Sequence, residues 1–197
     1  MSTTPAAAKE APGRLELVRQ FINTADIAPA EDELVDLDAL AAWLRKHGLL
    51  RAREHLAAGD LDRALTVREG LRDLLEARAG DHRPRTASLR SLNSLLSGAL
   101  LSGAFAPDGA PALSPAAGTP LDRALAELVA IIVSAAGDGS WERLKVCADH
   151  GCRWAFYDRS KNHSRSWCNM AVCGNRAKAR EYRRRRRRGE RAQSVSR

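Results

Sequence analysis

The first two thirds of the chain repeat apolar residues at helical spacing. In RLELVRQFINTAD, Leu15, Val18, Phe21 and Ile22 return every three or four positions, which is the period of one helix face. The same spacing predicts helices in DLDALAAWLRKHG, DLDRALTVREGLRDLLEARAG, TASLRSLNSLLSGAL and TPLDRALAELVAIIVSAAG. Their predicted buried positions are Leu40, Trp43 and Leu44, then Leu61, Ala64, Leu65, Leu71, Leu74 and Leu75, then Leu89, Leu92, Leu96 and Leu100. We therefore expect a mainly α fold, with one helical domain over residues 14–139.

Capping residues mark where these helices begin. Asp36 is a predicted N-cap, and Thr119 is another because Pro120 follows it at the first helical position. Between the last two helices, residues 102–119 are rich in Gly, Pro and Ala. Two interpretations of this segment stay open: a short β-hairpin turned by the PDG motif, or a flexible linker.

Charge divides the chain into two unlike parts. Residues 1–140 contain 15 Lys and Arg against 19 Asp and Glu, a net charge of −4, whereas residues 141–197 contain 17 against 5, a net charge of +12. A basic segment of this kind favours a polyanionic partner, and nucleic acid is the commonest one. No apolar run is long enough for a membrane span, and the N-terminus does not resemble a secretion signal, so we expect a soluble, cytoplasmic protein without a membrane partner, associated with the nucleoid if it binds DNA.

All four cysteines lie in the basic part. Cys147 and Cys152 form one C-x4-C pair, Cys168 and Cys173 form another, and fifteen residues separate the pairs. Two close pairs joined by a spacer of this size are typical of a structural zinc site with four thiolate ligands. The alternative is two disulfides, which the reducing cytosol disfavours. His150 and His163 are the other candidate ligands in the segment, and the four thiolates make them unnecessary.

The spacer and the residues after it predict a small finger with a basic helix. RWAFYD alternates, with Trp154 and Phe156 on one face, and SRSWC is predicted to return as the second strand, bringing Trp167 into a miniature core. Asn175 is a predicted N-cap for RAKAREYRRRRRR, which has helix-forming composition, and Gly189 a predicted stop. This order of knuckle, hairpin and helix is a treble-clef-like arrangement. Two interpretations of the last turns, Arg183 to Arg188, stay open. They form a helix, or they are disordered in the free protein and become ordered when they bind phosphate.

These residues resemble a known family. The sequence RLKVCADHGCRWAFYDRSKNHSRSWCNMAVCGNRAKAREYRRR closely resembles the CGNR-type zinc finger, which is named for residues 173–176. LVRQFINT, LAAWLRKHGL, DLDRALTVREGLRDLL and WERLKVCA resemble the ABATE domain that precedes this finger in the same family. The resemblance implies a stress-related transcription regulator. It also divides the chain into a disordered N-terminus (1–13), an ABATE-like domain (14–139), the finger with its helix (140–189) and a disordered tail (190–197).

The expected function is a zinc-dependent, DNA-binding transcription regulator with one structural Zn²⁺ per chain. Enzymatic motifs are absent from the sequence, and a site closed by four cysteines leaves no open coordination position, so we do not expect an enzyme. Double-stranded DNA is the favoured partner; RNA or the ribosome, or an acidic protein, are alternatives. The helical domain is expected to bind a small-molecule signal or to self-associate. The residues predicted to contact nucleic acid are Arg159, Lys161, Arg165, Arg176, Lys178, Arg180, Arg183, Arg184, Arg185, Arg186, Arg187 and Arg188.

Overall fold

The computed structural model describes residues 10–27, 30–79, 84 and 86–195, without the side chains of residues 79 and 187–195. Residues 1–9 of the predicted disordered N-terminus and residues 196–197 of the predicted tail lie outside this description. The described part contains six helices, and this confirms the mainly α fold. They are α1 (Leu15–Ile22), α2 (Leu37–Lys46), α3 (Asp60–Ala79), α4 (Thr86–Leu95), α5 (Pro120–Gly137) and α6 (Asn175–Val195). No helix in these ranges is long and apolar enough to cross a bilayer.

Within the described ranges, six short strands pair into three antiparallel hairpins. They are β1 (Ala25–Asp26) with β2 (Glu31–Asp32), β3 (Leu101–Phe105) with β4 (Pro111–Pro115), and β5 (Leu144–Val146) with β6 (Ala155–Tyr157). The β3–β4 pair confirms the hairpin interpretation of residues 102–119. Its turn includes Gly109, whose positive φ of 81° suits a residue without a side chain.

The helix starts follow the predicted caps. The Asp36 side chain accepts a hydrogen bond of 2.7 Å from the Ala39 N–H at the start of α2. Thr119 and Asp122 form a reciprocal capping box at the start of α5, each side chain accepting from the other's backbone N–H. Helix α4 ends earlier than its leucine pattern predicts. The chain turns at residues 96–98, and Leu100, predicted to be buried, is exposed.

Helix α3 lies at the centre of the helical domain. It packs against α1, α2, α4 and the strand β5. Its buried apolar residues include Ala64, Val67, Leu71 and Leu75, whereas Leu61, Leu65 and Leu74 are partly buried at the edge of the core. Two arginines on the same helix, Arg68 and Arg72, are also buried, which the apolar pattern does not predict.

The hydrophobic core does not stop at the end of α5. Five side chains that follow it in sequence are buried in the same cluster as the helices: Trp141, Leu144, Val146, Ala155 and Tyr157. Arg78 on α3 holds this segment by donating hydrogen bonds to the carbonyls of Trp141 (2.7 Å) and Leu144 (2.6 Å). The β5–β6 hairpin is therefore part of the helical domain's core as well as of the cysteine-rich segment.

Candidate zinc centre and nucleic-acid interface

Strand β6 separates two hydrophobic clusters. Ala155 and Tyr157 face the main core, and Phe156 between them faces a second cluster formed with the four cysteines, Trp154 and Trp167. The burial of these residues confirms the two faces predicted from the alternation in RWAFYD, and the miniature aromatic core. The predicted strand partner is wrong. β6 pairs with β5, and the SRSWC segment contributes no strand. Its Ser166 carbonyl accepts a backbone hydrogen bond of 2.9 Å from the Ala148 N–H.

The four cysteine side chains converge in this second cluster. Their sulfur atoms all lie within 4.8 Å of one another, and all four residues are buried. Cys168 Sγ lies 3.6 Å from Cys152 Sγ and 3.7 Å from Cys173 Sγ. Ligands about 2.3 Å from a tetrahedral zinc ion would be about 3.8 Å apart, so the sulfur positions fit a Zn²⁺ site with four thiolates. A closed site of this kind is structural.

The electrostatics of the cluster also favour a cation. Contacts with Cys147 and Cys152, together with burial, raise the pKa of the Cys168 thiol well above its usual range. Neighbouring sulfurs oppose further ionisation because packed thiolates repel one another in a buried site. A divalent cation reverses this repulsion and stabilises all four thiolates.

Asn169 positions the turn that carries Cys173, in the second cysteine pair. The Asn169 side-chain oxygen accepts hydrogen bonds from the N–H groups of Ala171 (2.9 Å) and Val172 (3.3 Å), which caps the π-helical turn Met170–Gly174. Cys173 lies in this turn and leads into α6. The cap is thus Asn169 rather than the predicted Asn175, whose side chain donates to the Ala171 carbonyl instead.

Asp149 connects the loop between Cys147 and Cys152, the first cysteine loop, to the basic helix α6. Its carboxylate is buried, with Oδ1 lying 3.1 Å from Arg180 Nη2 and Oδ2 lying 3.3 Å from Arg176 Nε. Arg176 also donates to Cys173 Sγ at 3.2 Å, so it contacts a sulfur of the cluster. These contacts fix the direction and the rotation of α6 relative to the cysteine cluster. The sequence offered one signal: Asp149 is among the five acidic residues in a segment of net charge +12.

Asp158 organises the loop between the two cysteine pairs. Its buried carboxylate lies 2.8 Å from Lys145 Nζ and accepts hydrogen bonds from the N–H groups of Ser160 and Arg165. Burial alone would raise its pKa, but these donors hold the pKa of Asp158 well below its usual range. The loop that carries Lys161 is therefore anchored on a buried carboxylate.

Contacts from the helical domain reach the residues beside Cys152. The Asn23 amide forms two hydrogen bonds with the backbone of Ala155, donating to its carbonyl at 2.8 Å and accepting from its N–H at 2.7 Å. The fully buried Arg72 donates to the carbonyl of Arg153 at 3.1 Å and also to that of Ile22. The residues that follow Cys152 are consequently bonded to the end of α1 and to the middle of α3.

Comparison with known families divides the chain into a helical segment and a cysteine-rich segment. The family model ABATE, described as "Putative stress-induced transcription regulator", matches residues 15–138. The chain belongs to the ABATE family. The CGNR zinc finger model matches residues 143–186, which contain all four clustered cysteines. Together with the sulfur geometry, this match indicates one structural zinc in the chain. A search of the curated proteins found no match.

Within the CGNR finger, four of the residues predicted to contact nucleic acid are held by other parts of the protein. Arg165 donates to the carbonyls of Trp167 (2.8 Å) and Cys168, and its guanidinium lies over the Phe156 ring. Arg176 and Arg180 bind Asp149, as described above. Arg159 donates to the carbonyl of Glu10 at 2.8 Å.

Six further predicted residues lie on the outside of the CGNR finger, where Arg159, Arg176 and Arg180 are also exposed. Lys161, Lys178 and Arg183 are exposed, and so are Arg184, Arg185 and Arg186. Arg184 and Arg185 form ion pairs of 2.7 and 3.0 Å with Glu181, which lies on the same helix. Arg187 and Arg188 belong to α6, but their side chains are outside the described set. Helix α6 passes through Gly189, the predicted stop, and is helical up to Val195, since helix-forming Glu190, Arg191 and Ala192 follow the glycine.

Proposed function

We propose that this ABATE-family protein is a zinc-dependent regulator that binds double-stranded DNA through its CGNR finger. The zinc ligands in this proposal are the four clustered thiolates, Cys147, Cys152, Cys168 and Cys173. The observation that carries it is the attachment of a basic helix to the cluster. Helix α6 begins two residues after Cys173, and Asp149 sets its rotation from the opposite cysteine loop.

The exposed basic residues are the proposed contacts with the DNA backbone. Lys161 on the anchored loop, together with Lys178 and Arg183 to Arg186 on α6, supplies positive charge over more than two helical turns. We include Arg187 and Arg188 from their position in the sequence. Phosphate contacts of this kind position a protein on a duplex and make binding strongly dependent on salt. We assign Arg165, Arg176 and Arg180 mainly structural roles, because they bind the buried Asp149 or the carbonyls of Trp167 and Cys168. Arg184 and Arg185 instead pair with Glu181 on their own helix.

The ABATE segment is the proposed regulatory part, which senses a signal or self-associates. The family description is that of a regulator, and this supports a function other than catalysis. The hydrogen bonds from Asn23 and Arg72 to the residues after Cys152 provide a route by which a change in the helical segment reaches the finger.

The test is a salt titration of duplex binding by three proteins: wild type, zinc-stripped protein and a variant with Arg184 to Arg188 replaced by alanine. Removal of five phosphate contacts flattens the plot of log affinity against log salt by about 4 to 5 units. We expect the stripped protein to lose sequence preference and to keep weak, salt-sensitive binding. Sequence preference without zinc, or an unchanged slope in the variant, would contradict the proposal. Displacement of bound duplex by structured RNA at equal salt would favour the RNA-binding alternative.

A further inference from the structure

A groove runs between the Trp167 ring and the first three turns of α6. It has a volume of about 420 Å³, within the range of small-molecule clefts, which is about 300–1,000 Å³. Its lining includes Trp167, Ala177, Lys178, Tyr182 and Arg185. None of the residues that bind zinc or Asp149 in the account above lines it, so the groove is distinct from the zinc centre and from the clamp on Arg176 and Arg180.

The lining combines two aromatic rings and two cations with the carboxylate of Glu181, which offsets part of the positive charge. Tyr182 is 68% exposed although it is a large ring, and Trp167 is partly buried against the cysteine cluster, which holds it in place. Lys178 lies one helical turn before Tyr182 and faces the same groove. Glu181 holds Arg185 by an ion pair of 3.0 Å, which orders that guanidinium beside the groove.

We propose that this groove binds one unstacked nucleotide of the bound nucleic acid. The base would stack on Tyr182 and Trp167, and Lys178 and Arg185 would contact the adjoining phosphates. Aromatic rings beside cations are the usual arrangement for holding unpaired bases, because stacking and phosphate contacts act together. An acidic peptide would use the two cations but would leave the exposed ring of Tyr182 without a stacking partner. The proposal rests on the proposed function and adds a preference for nucleic acid that contains an unpaired nucleotide.

The test uses zinc-loaded full-length protein and three labelled DNA probes of one sequence: a paired duplex, the same duplex with a single unpaired nucleotide, and the single strand. Wild type should bind the duplex with one unpaired nucleotide more tightly than the paired duplex, and the single strand measures stacking without a duplex backbone. Stacking of one base contributes about 5- to 100-fold in affinity. Tyr182→Ala should therefore weaken binding to the two unpaired probes by about that factor and should leave the paired duplex within about twofold.

Two further variants make the result specific to the groove. Tyr182→Phe keeps the ring and should bind all three probes like wild type. Phe105→Ala removes an exposed ring from β3, outside the finger, and should bind all three probes like wild type. If Tyr182→Ala changes no probe, or weakens all three equally, the groove does not hold an unstacked base, although the proposed function stands. If wild type binds none of the probes, both proposals fail.

Discussion

The contact between Asn23 and Ala155 allows a quantitative test of how the two family segments are joined. Ala155 is completely buried, and the Asn23 amide satisfies both its N–H and its carbonyl. Asn23→Ala leaves these two groups without partners, and each buried unsatisfied group costs about 1–3 kcal/mol. The expected loss of unfolding free energy is therefore about 2–6 kcal/mol. In a protein of this size that loss corresponds to a fall in Tm of roughly 4–24 °C.

The measurement is thermal unfolding followed by circular dichroism, with zinc present throughout. Asn162→Ala, at an exposed turn, is the matched control and should stay within about 0.5 kcal/mol of wild type. Asn23→Asp separates hydrogen bonding from packing. It keeps the size of the side chain but places a carboxylate against the Ala155 carbonyl, so it should destabilise at least as much as alanine. A Tm for Asn23→Ala that equals the control would refute the reasoning.

Three other changes test the remaining features. A fragment ending at Gly139 lacks five side chains of the core, and burial of a large apolar side chain contributes about 1.5–3 kcal/mol. We therefore expect no cooperative thermal transition for this fragment. A sharp transition would contradict the shared core. Asp149→Asn should speed amide hydrogen exchange in the first turns of α6, because the helix loses its charged anchor; unchanged exchange would show that zinc alone fixes the helix. Arg68 lowers the pKa of Asp32 against the opposing effect of burial, so the stabilisation is complete above about pH 4 and is lost as pH falls below that value. Asp32→Asn should thus cost about 2 kcal/mol at pH 7 and progressively less below pH 4 in denaturant titrations, and a difference independent of pH would exclude this ion pair as its source.

Local signals in the sequence predicted much of this fold. The caps at Asp36 and Thr119, the helical periods and the spacing of the cysteines are all short-range patterns, and the structure agrees with them. The alternation around Phe156 predicted correctly which face meets the cysteines. These features depend on neighbours within a few residues, so a single sequence is sufficient to see them.

Contacts between residues far apart in the sequence could not be predicted in this way. Alternation predicts that residues 155–157 form a strand, but it does not tell which segment pairs with them, and β5 provides the partner. The burial of Arg72 is equally hidden, because an arginine on a helix is normally exposed and only the carbonyls gathered around it make burial favourable. The arginines of α6 look alike in sequence, and it takes the structure to show that Arg176 and Arg180 bind the buried Asp149.

The two faces of β6 have a consequence for protein engineering. Zinc fingers are often treated as cassettes that can be cut out and fused to another scaffold. Here a three-residue strand gives Phe156 to the metal-side cluster and its two neighbours to the helices. A chimera that receives residues 143–186 alone would expose Leu144, Val146 and Tyr157 to water. A functional transplant of this finger therefore needs a recipient with a complementary apolar surface, or must carry α1 and α3 with it.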